Sequence, residues 1–161
     1  MRWWSDETDA LLAVIRNPVI LRLPAIFLDF DGVVHTESQV SRNPFHQLPL
    51  LESAFEGAIC DVQIVISSSW RFHYPLEDLK RYLRFLSEFV VGTTPEIPPC
   101  SFMRYQEIME VVQTHGRVKW IAIDDAKTEF PAGCENLLYC NPRFGFDLEQ
   151  HRKLVEWLKA T

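Results

Sequence analysis

Apolar and polar positions alternate along this chain at two periods. Three-to-six-residue apolar runs are separated by longer stretches with apolar residues every three or four positions. Continuous runs at Ala25–Leu28, Val62–Ile66, Phe89–Val91, Val118–Ile123 and Leu137–Tyr139 predict strands buried on both faces. Helical spacing predicts helices over 49–57, 75–88, 102–115 and 147–159. An N-terminal helix is expected to start at a Ser5-Asp6-Glu7 cap and to stop at Asn17-Pro18, so that 1–23 forms a helical extension on one domain spanning 1–161. The segment from Pro95 to Pro99 must be loop. Buried strands alternating with amphipathic helices imply βαβ units: a single α/β, Rossmann-like domain with a parallel sheet and helices on both faces.

Composition narrows this only slightly. The 161 residues are 47% hydrophobic and 24% charged, with six glycines and ten prolines, an ordinary globular profile. A net charge of −6 argues against a broad nucleic-acid-binding surface, while leaving room for a local basic pocket. The apolar region from Ala10 to Leu28 is interrupted by Arg16, Pro18, Arg22 and Pro24, which excludes a membrane span there. The start of the chain carries acids rather than a signal-peptide core. Cys60, Cys100, Cys134 and Cys140 form no C-x-x-C pair, so free thiols in a reducing cytoplasm are expected.

Chemistry is expected where the strands end, because ligands of open parallel sheets bind beyond the carboxyl ends of the strands. The first strand is followed by Asp29-Phe30-Asp31-Gly32, the second by Ser67-Ser68-Ser69-Trp70-Arg71, the fourth by Asp124-Asp125. Four carboxylates converging on one crevice repel one another unless a cation neutralises them, and oxygen-only ligands suit Mg²⁺.

These segments resemble the motifs of the haloacid dehalogenase (HAD) superfamily. Ile26 to Val34 is similar to its first motif, Val65-Ile66-Ser67 to its second, and Ile121 to Asp125 to its fourth, in the right order. More narrowly, Ser67 to Arg71, Arg104 with Glu107-Ile108, and Asn141-Pro142 with Gly145 resemble the compact HAD domain of bacterial RNA-repair proteins. The resemblance implies a Mg²⁺-dependent phosphohydrolase. Asp29 would be the nucleophile, Asp31 the general acid and base, Ser67 a phosphoryl-oxygen ligand, and Asp29, Asp31, Asp124 and Asp125 the metal-binding acids. Gly32, Ser68 and Arg71 would line the substrate, though Arg71 is equally readable as a surface ion pair and Ser69 as a helix cap. Which of Asp124 and Asp125 binds metal directly stays open.

The third motif of the superfamily is usually lysine. Lys119 stands five residues before Asp124, about 16 Å away at strand rise and at the wrong strand end. Arg104 is the favoured cation, with Lys80 as an outside candidate. The short intervals between motifs leave no room for a cap domain, so the site should be open, with His35, Trp70, Arg71, His73 and Arg143 available to line it. The substrate expected is a phosphomonoester such as a nucleotide or a nucleic-acid end. The alternatives are a small-metabolite phosphatase and a non-catalytic module that retains the fold. Oligomeric state is not legible.

Overall fold

A computed structural model of the protein describes residues 19–56, 61–116 and 118–161. The helix expected over 5–16, and Cys60, lie outside them. Five strands, β1 (Ala25–Leu28), β2 (Gln63–Ile66), β3 (Val90–Thr93), β4 (Trp120–Asp124) and β5 (Leu137–Tyr139), form one parallel sheet in the order β3-β2-β1-β4-β5. The helices are α1 (Leu48–Ser53), α2 (Leu76–Tyr82), α3 (Met103–Thr114) and α4 (Leu148–Lys159).

Side-chain alternation along each strand divides the core between the two faces. Ile26 and Leu28 of β1 pack with Ile64, Ile66, Ile121 and Ile123 beneath Leu48 and Leu51 of α1, Leu79 of α2, and Leu154 and Leu158 of α4. Ala25 and Phe27 point the other way, with Val65, Trp120 and Ala122, against Ile108, Val111 and Val112 of α3. A strand buried on both sides must be apolar at every position, and all four residues of β1 are buried. Burying one such large aliphatic or aromatic side chain contributes about 1.5–3 kcal/mol. The expected α/β architecture, with helices on both faces, is therefore present.

The boundaries differ in instructive places. The helix expected over 75–88 is broken after Tyr82: Arg84 takes a left-handed φ of 50°, and a 3-10 helix over Arg84–Phe89 follows. Periodicity cannot distinguish the two, because Leu79, Leu83 and Leu86 are buried in either geometry. The fourth strand begins two residues later than expected, at Trp120, and extends through Asp124, so this acid lies within the sheet.

Register sets up the site. Leu28 pairs with Ile66 on one side and with Ile123 on the other. The ladder continues one step further, through Ser67 N–H to Leu28 O (3.0 Å) and Asp29 N–H to Ile123 O (3.1 Å). Asp29, Ser67 and Asp124 thus stand side by side on the carboxyl edge of the sheet. The chain leaves β1 toward β2 on one side and leaves β4 toward β5 on the other, so the connections diverge between β1 and β4 and open a crevice at that point.

Candidate active site

Asp29, Asp124 and Asp125 bring one carboxylate oxygen each to within 4.8 Å of one another. Asp29 and Asp124 are buried and Asp125 is half-buried. Asp124 Oδ1 accepts from the N–H of Ala126 at 2.8 Å, which anchors one oxygen at the strand end. Burial, with the adjacent Asp29 charge, raises the Asp124 carboxyl to about 7. The same two causes raise Asp125 to about 6. A cluster of hard oxygens that resists ionisation in its own company is a donor set suited to a hard divalent cation.

Gly32 is what lets Asp125 reach this position. Its φ is +68°, and a Cβ there would lie 2.1 Å from Asp125 Oδ2. Only glycine permits both the turn and the contact. The turn at Asn141–Gly145 closes over the same segment: Phe146 N–H bonds to Val33 O at 2.8 Å.

Arg104, in the first turn of α3, directs Nη1 between two of the acids, 3.3 Å from Asp29 Oδ1 and 3.2 Å from Asp124 Oδ2. Burial by itself would lower this guanidinium, but the charges of Asp29 and Asp124 outweigh it and raise it. The other two candidate cations stand elsewhere. Lys80 Nζ lies 3.9 Å from Glu77, and Lys119 Nζ reaches Ala160 O (3.0 Å) and the Trp157 ring at the far end of the sheet.

Asp31 takes a different direction from Asp29. Its carboxylate, one of the four expected to bind the metal, is not among the three that cluster. Its Oδ1 lies 2.9 Å from His35 Nε2, and its Oδ2 accepts from Trp70 Nε1 at 3.0 Å. Extended geometry would have aimed both carboxylates the same way, but the chain turns at once, with Val33 and Val34 N–H both bonded to Phe30 O. His35, expected to line the opening, is instead fully buried, whereas His73 and Arg143 are exposed.

The second-motif loop departs from expectation in its details. Ser67 is buried and its Oγ has no partner among the described residues. Ser68, not Ser69, caps the 3-10 helix Ser69–Phe72, accepting from Trp70 N–H. Arg71 is neither a surface ion pair nor turned outward: its Nη1 donates to the carbonyls of Ser67 (2.7 Å) and Ser68 (3.0 Å), and its Nη2 to Glu107. Glu107, three residues after Arg104 on α3, also lies 4.0 Å from Arg104 Nε. This buried acid between two arginines was given no role by sequence reasoning. An Arg-x-x-Glu pair on a helix is commonplace, and nothing in the order of residues reveals a partner 36 positions away.

A family model described as the HAD domain in Swiss Army Knife RNA repair proteins matches residues 25–151, from the first residue of β1 into α4. The chain belongs to this family. Searches of curated proteins and of solved structures returned no match. Within this HAD domain, the described residues between Gly32 and β2, and between Ser67 and β4, form turns, α1 to α3 and β3 around the sheet, with no separate cap over its carboxyl edge. None of the helices among the described residues is long and apolar enough to cross a membrane.

Proposed function

We propose that the protein is a Mg²⁺-dependent phosphohydrolase that cleaves phosphomonoesters through an aspartyl-phosphate on Asp29. The observation that carries this reading is the Arg104 guanidinium held between Asp29 and Asp124, with Asp125 alongside, at the carboxyl edge of the sheet. A buried nucleophilic carboxylate next to a fixed cation is suited to attack on a phosphoryl group, whose spread negative charge the guanidinium meets. Asp29, Asp124 and Asp125 would hold the divalent ion, which when bound supplies charge neutralisation between carboxylate and phosphoryl oxygens.

In this reading Asp29 Oδ attacks phosphorus as the ester P–O bond breaks, and Asp31 gives its proton to the leaving oxygen. Water then attacks phosphorus, the Asp29–phosphorus bond breaks, and Asp31 takes the proton from water. Ser67 Oγ, buried without a partner among the described residues, is the hydroxyl available to a phosphoryl oxygen. Gly32 and Ser68 support this arrangement through the backbone turns that carry Asp31 and Trp70.

The substrate favoured is a nucleic-acid end. Membership of an RNA-repair family supports it. So does the exposed ring of Tyr74, 5.4 Å from the Trp70 ring that bonds Asp31; such a face accepts a base by stacking, without sequence preference. The open carboxyl edge leaves space for a bulky phosphate ester.

The test is phosphate release from 3′- and 5′-phosphorylated oligonucleotides and from sugar phosphates, with and without Mg²⁺. Turnover is expected with Mg²⁺ and oligonucleotide ends, and none in Asp29→Asn. Full activity in Asp29→Asn would overturn the mechanism; preference for sugar phosphates would overturn the substrate class.

A further inference from the structure

We propose that His35 and Trp70 are positioning residues that clamp the Asp31 carboxylate from both of its oxygens, aiming it at the leaving group. The inference rests on the reading of Asp31 as proton donor to the ester oxygen and extends it to two residues that touch no substrate atom in that role.

Asp31 has a side chain that is 52% exposed on a surface turn, where a carboxylate would ordinarily sample several rotamers. Two donors restrain it. One is His35 Nε2, 2.9 Å from Oδ1 and four residues along the same turn; the other is Trp70 Nε1, 3.0 Å from Oδ2 and carried by the loop after β2. Both rings are fixed by their surroundings. His35 is fully buried, with Phe45 and Trp70 at centroid distances of 5.2 and 5.6 Å. Trp70 is wedged among Phe30 (5.8 Å), Phe45 (5.6 Å) and Tyr82 (5.8 Å).

The burial of His35 argues that its single hydrogen bond is its purpose. Its Nδ1 is buried and has no partner among the described residues. An imidazole in an aromatic nest with one nitrogen unsatisfied is worse, for packing alone, than leucine or phenylalanine. The same vacancy assigns the tautomer. When Asp31 is ionised its carboxylate only accepts, so the bonded hydrogen is the one on Nε2 and Nδ1 carries the lone pair. Each Asp31 oxygen accepts one bond and keeps another lone pair, on which the transferable proton is held. Fixing a catalytic group through rings that are themselves locked by packing is how a site maintains geometry on an exposed turn.

The test compares two substrates in Trp70→Phe, His35→Leu and His35→Gln. Proton donation matters for an alkyl ester such as a 3′-phosphorylated oligonucleotide and little for p-nitrophenyl phosphate, whose leaving group departs unprotonated. Trp70→Phe and His35→Leu should lower kcat/KM for the alkyl ester about 10–100-fold, as for impaired general-acid catalysis, and for the aryl ester less than about threefold. His35→Gln, which restores an N–H, should recover most of the loss. Equal losses on both substrates, or none on either, would overturn the clamp. Trp70→Phe keeps the ring and decides the question if His35→Leu does not fold. If Asp29→Asn retains activity, the underlying reading falls and the clamp with it; a dead Asp29→Asn together with substrate-independent effects of these variants sinks the clamp alone.

Discussion

Arg71 and Glu107 form a buried ion pair that ties the loop after β2 to helix α3, with side chains only 5% and 3% exposed. Arg71 also holds the carbonyls of Ser67 and Ser68, and Glu107 lies 4.0 Å from Arg104, so one acid links the serine loop to the cation beside Asp29. Burial lowers the Arg71 guanidinium against the pull of Glu107, and burial raises Glu107 against the pull of Arg71 and Arg104. In both residues desolvation outweighs the attraction, the condition in which losing one partner strands a buried charge.

Glu107→Ala should therefore destabilise the protein by about 3–5 kcal/mol, and Arg71→Ala by a similar amount. Paired replacement, Glu107→Ala with Arg71→Ala, should cost much less than the sum of the single changes. Urea unfolding of the four proteins in a double-mutant cycle checks this; additive effects would mean that the pair is not a unit.

Arg104 sits against two acids, and its planar fork matters as well as its charge. Arg104→Met should lower kcat by about 10²–10³-fold, the range for loss of one charge-stabilising donor. Arg104→Lys should retain part of that activity, since lysine carries the charge on a single point. Steady-state kinetics on a phosphorylated oligonucleotide distinguish the two. Equal activity in Arg104→Met and the parent would leave Arg104 without a catalytic task.

The carboxylate cluster predicts an unusual pH dependence for the metal-free protein. With Asp124 raised to about 7 and Asp125 to about 6 from an ordinary value of 3.8, the folded state binds more protons than the unfolded state between about pH 4 and 7. Stability from these groups is therefore greatest near pH 4 and declines as pH rises through 7. Mg²⁺ binds the ionised form, so its stabilising effect should grow over the same range. Thermal unfolding at pH 5 and pH 8, with and without Mg²⁺, tests the sign; Asp124→Asn should flatten the metal-free profile and abolish the Mg²⁺ increment.

Gly32→Ala should be costly for two separate reasons. Its φ of +68° disfavours any L-residue by about 1–2 kcal/mol, and the new Cβ would meet Asp125 Oδ2 at 2.1 Å. Asp125 must then move, so weaker Mg²⁺ binding by calorimetry should accompany the loss of stability. Unchanged Mg²⁺ affinity would show that Asp125 does not contribute to the cation site.

Much of this molecule is written in local sequence. Strands buried on both faces must be apolar throughout, so β1 stands out as Ala25–Leu28 and β2 within Val62–Ile66, with the acids and serines that follow them marking the functional edge. The family is legible for the same reason, since its motifs are short stretches at strand ends. What only the tertiary structure decided is direction and partnership. The turn after Phe30 sends Asp31 to His35 and Trp70 rather than to the three clustered acids. The packing of α3 sets Arg104 between Asp29 and Asp124, while Lys80 and Lys119 reach other partners, and pairs Glu107 with Arg71 across 36 residues. Period and composition determine which face a residue occupies; which side chain it meets there depends on sheet register and helix docking, neither of which leaves a local trace.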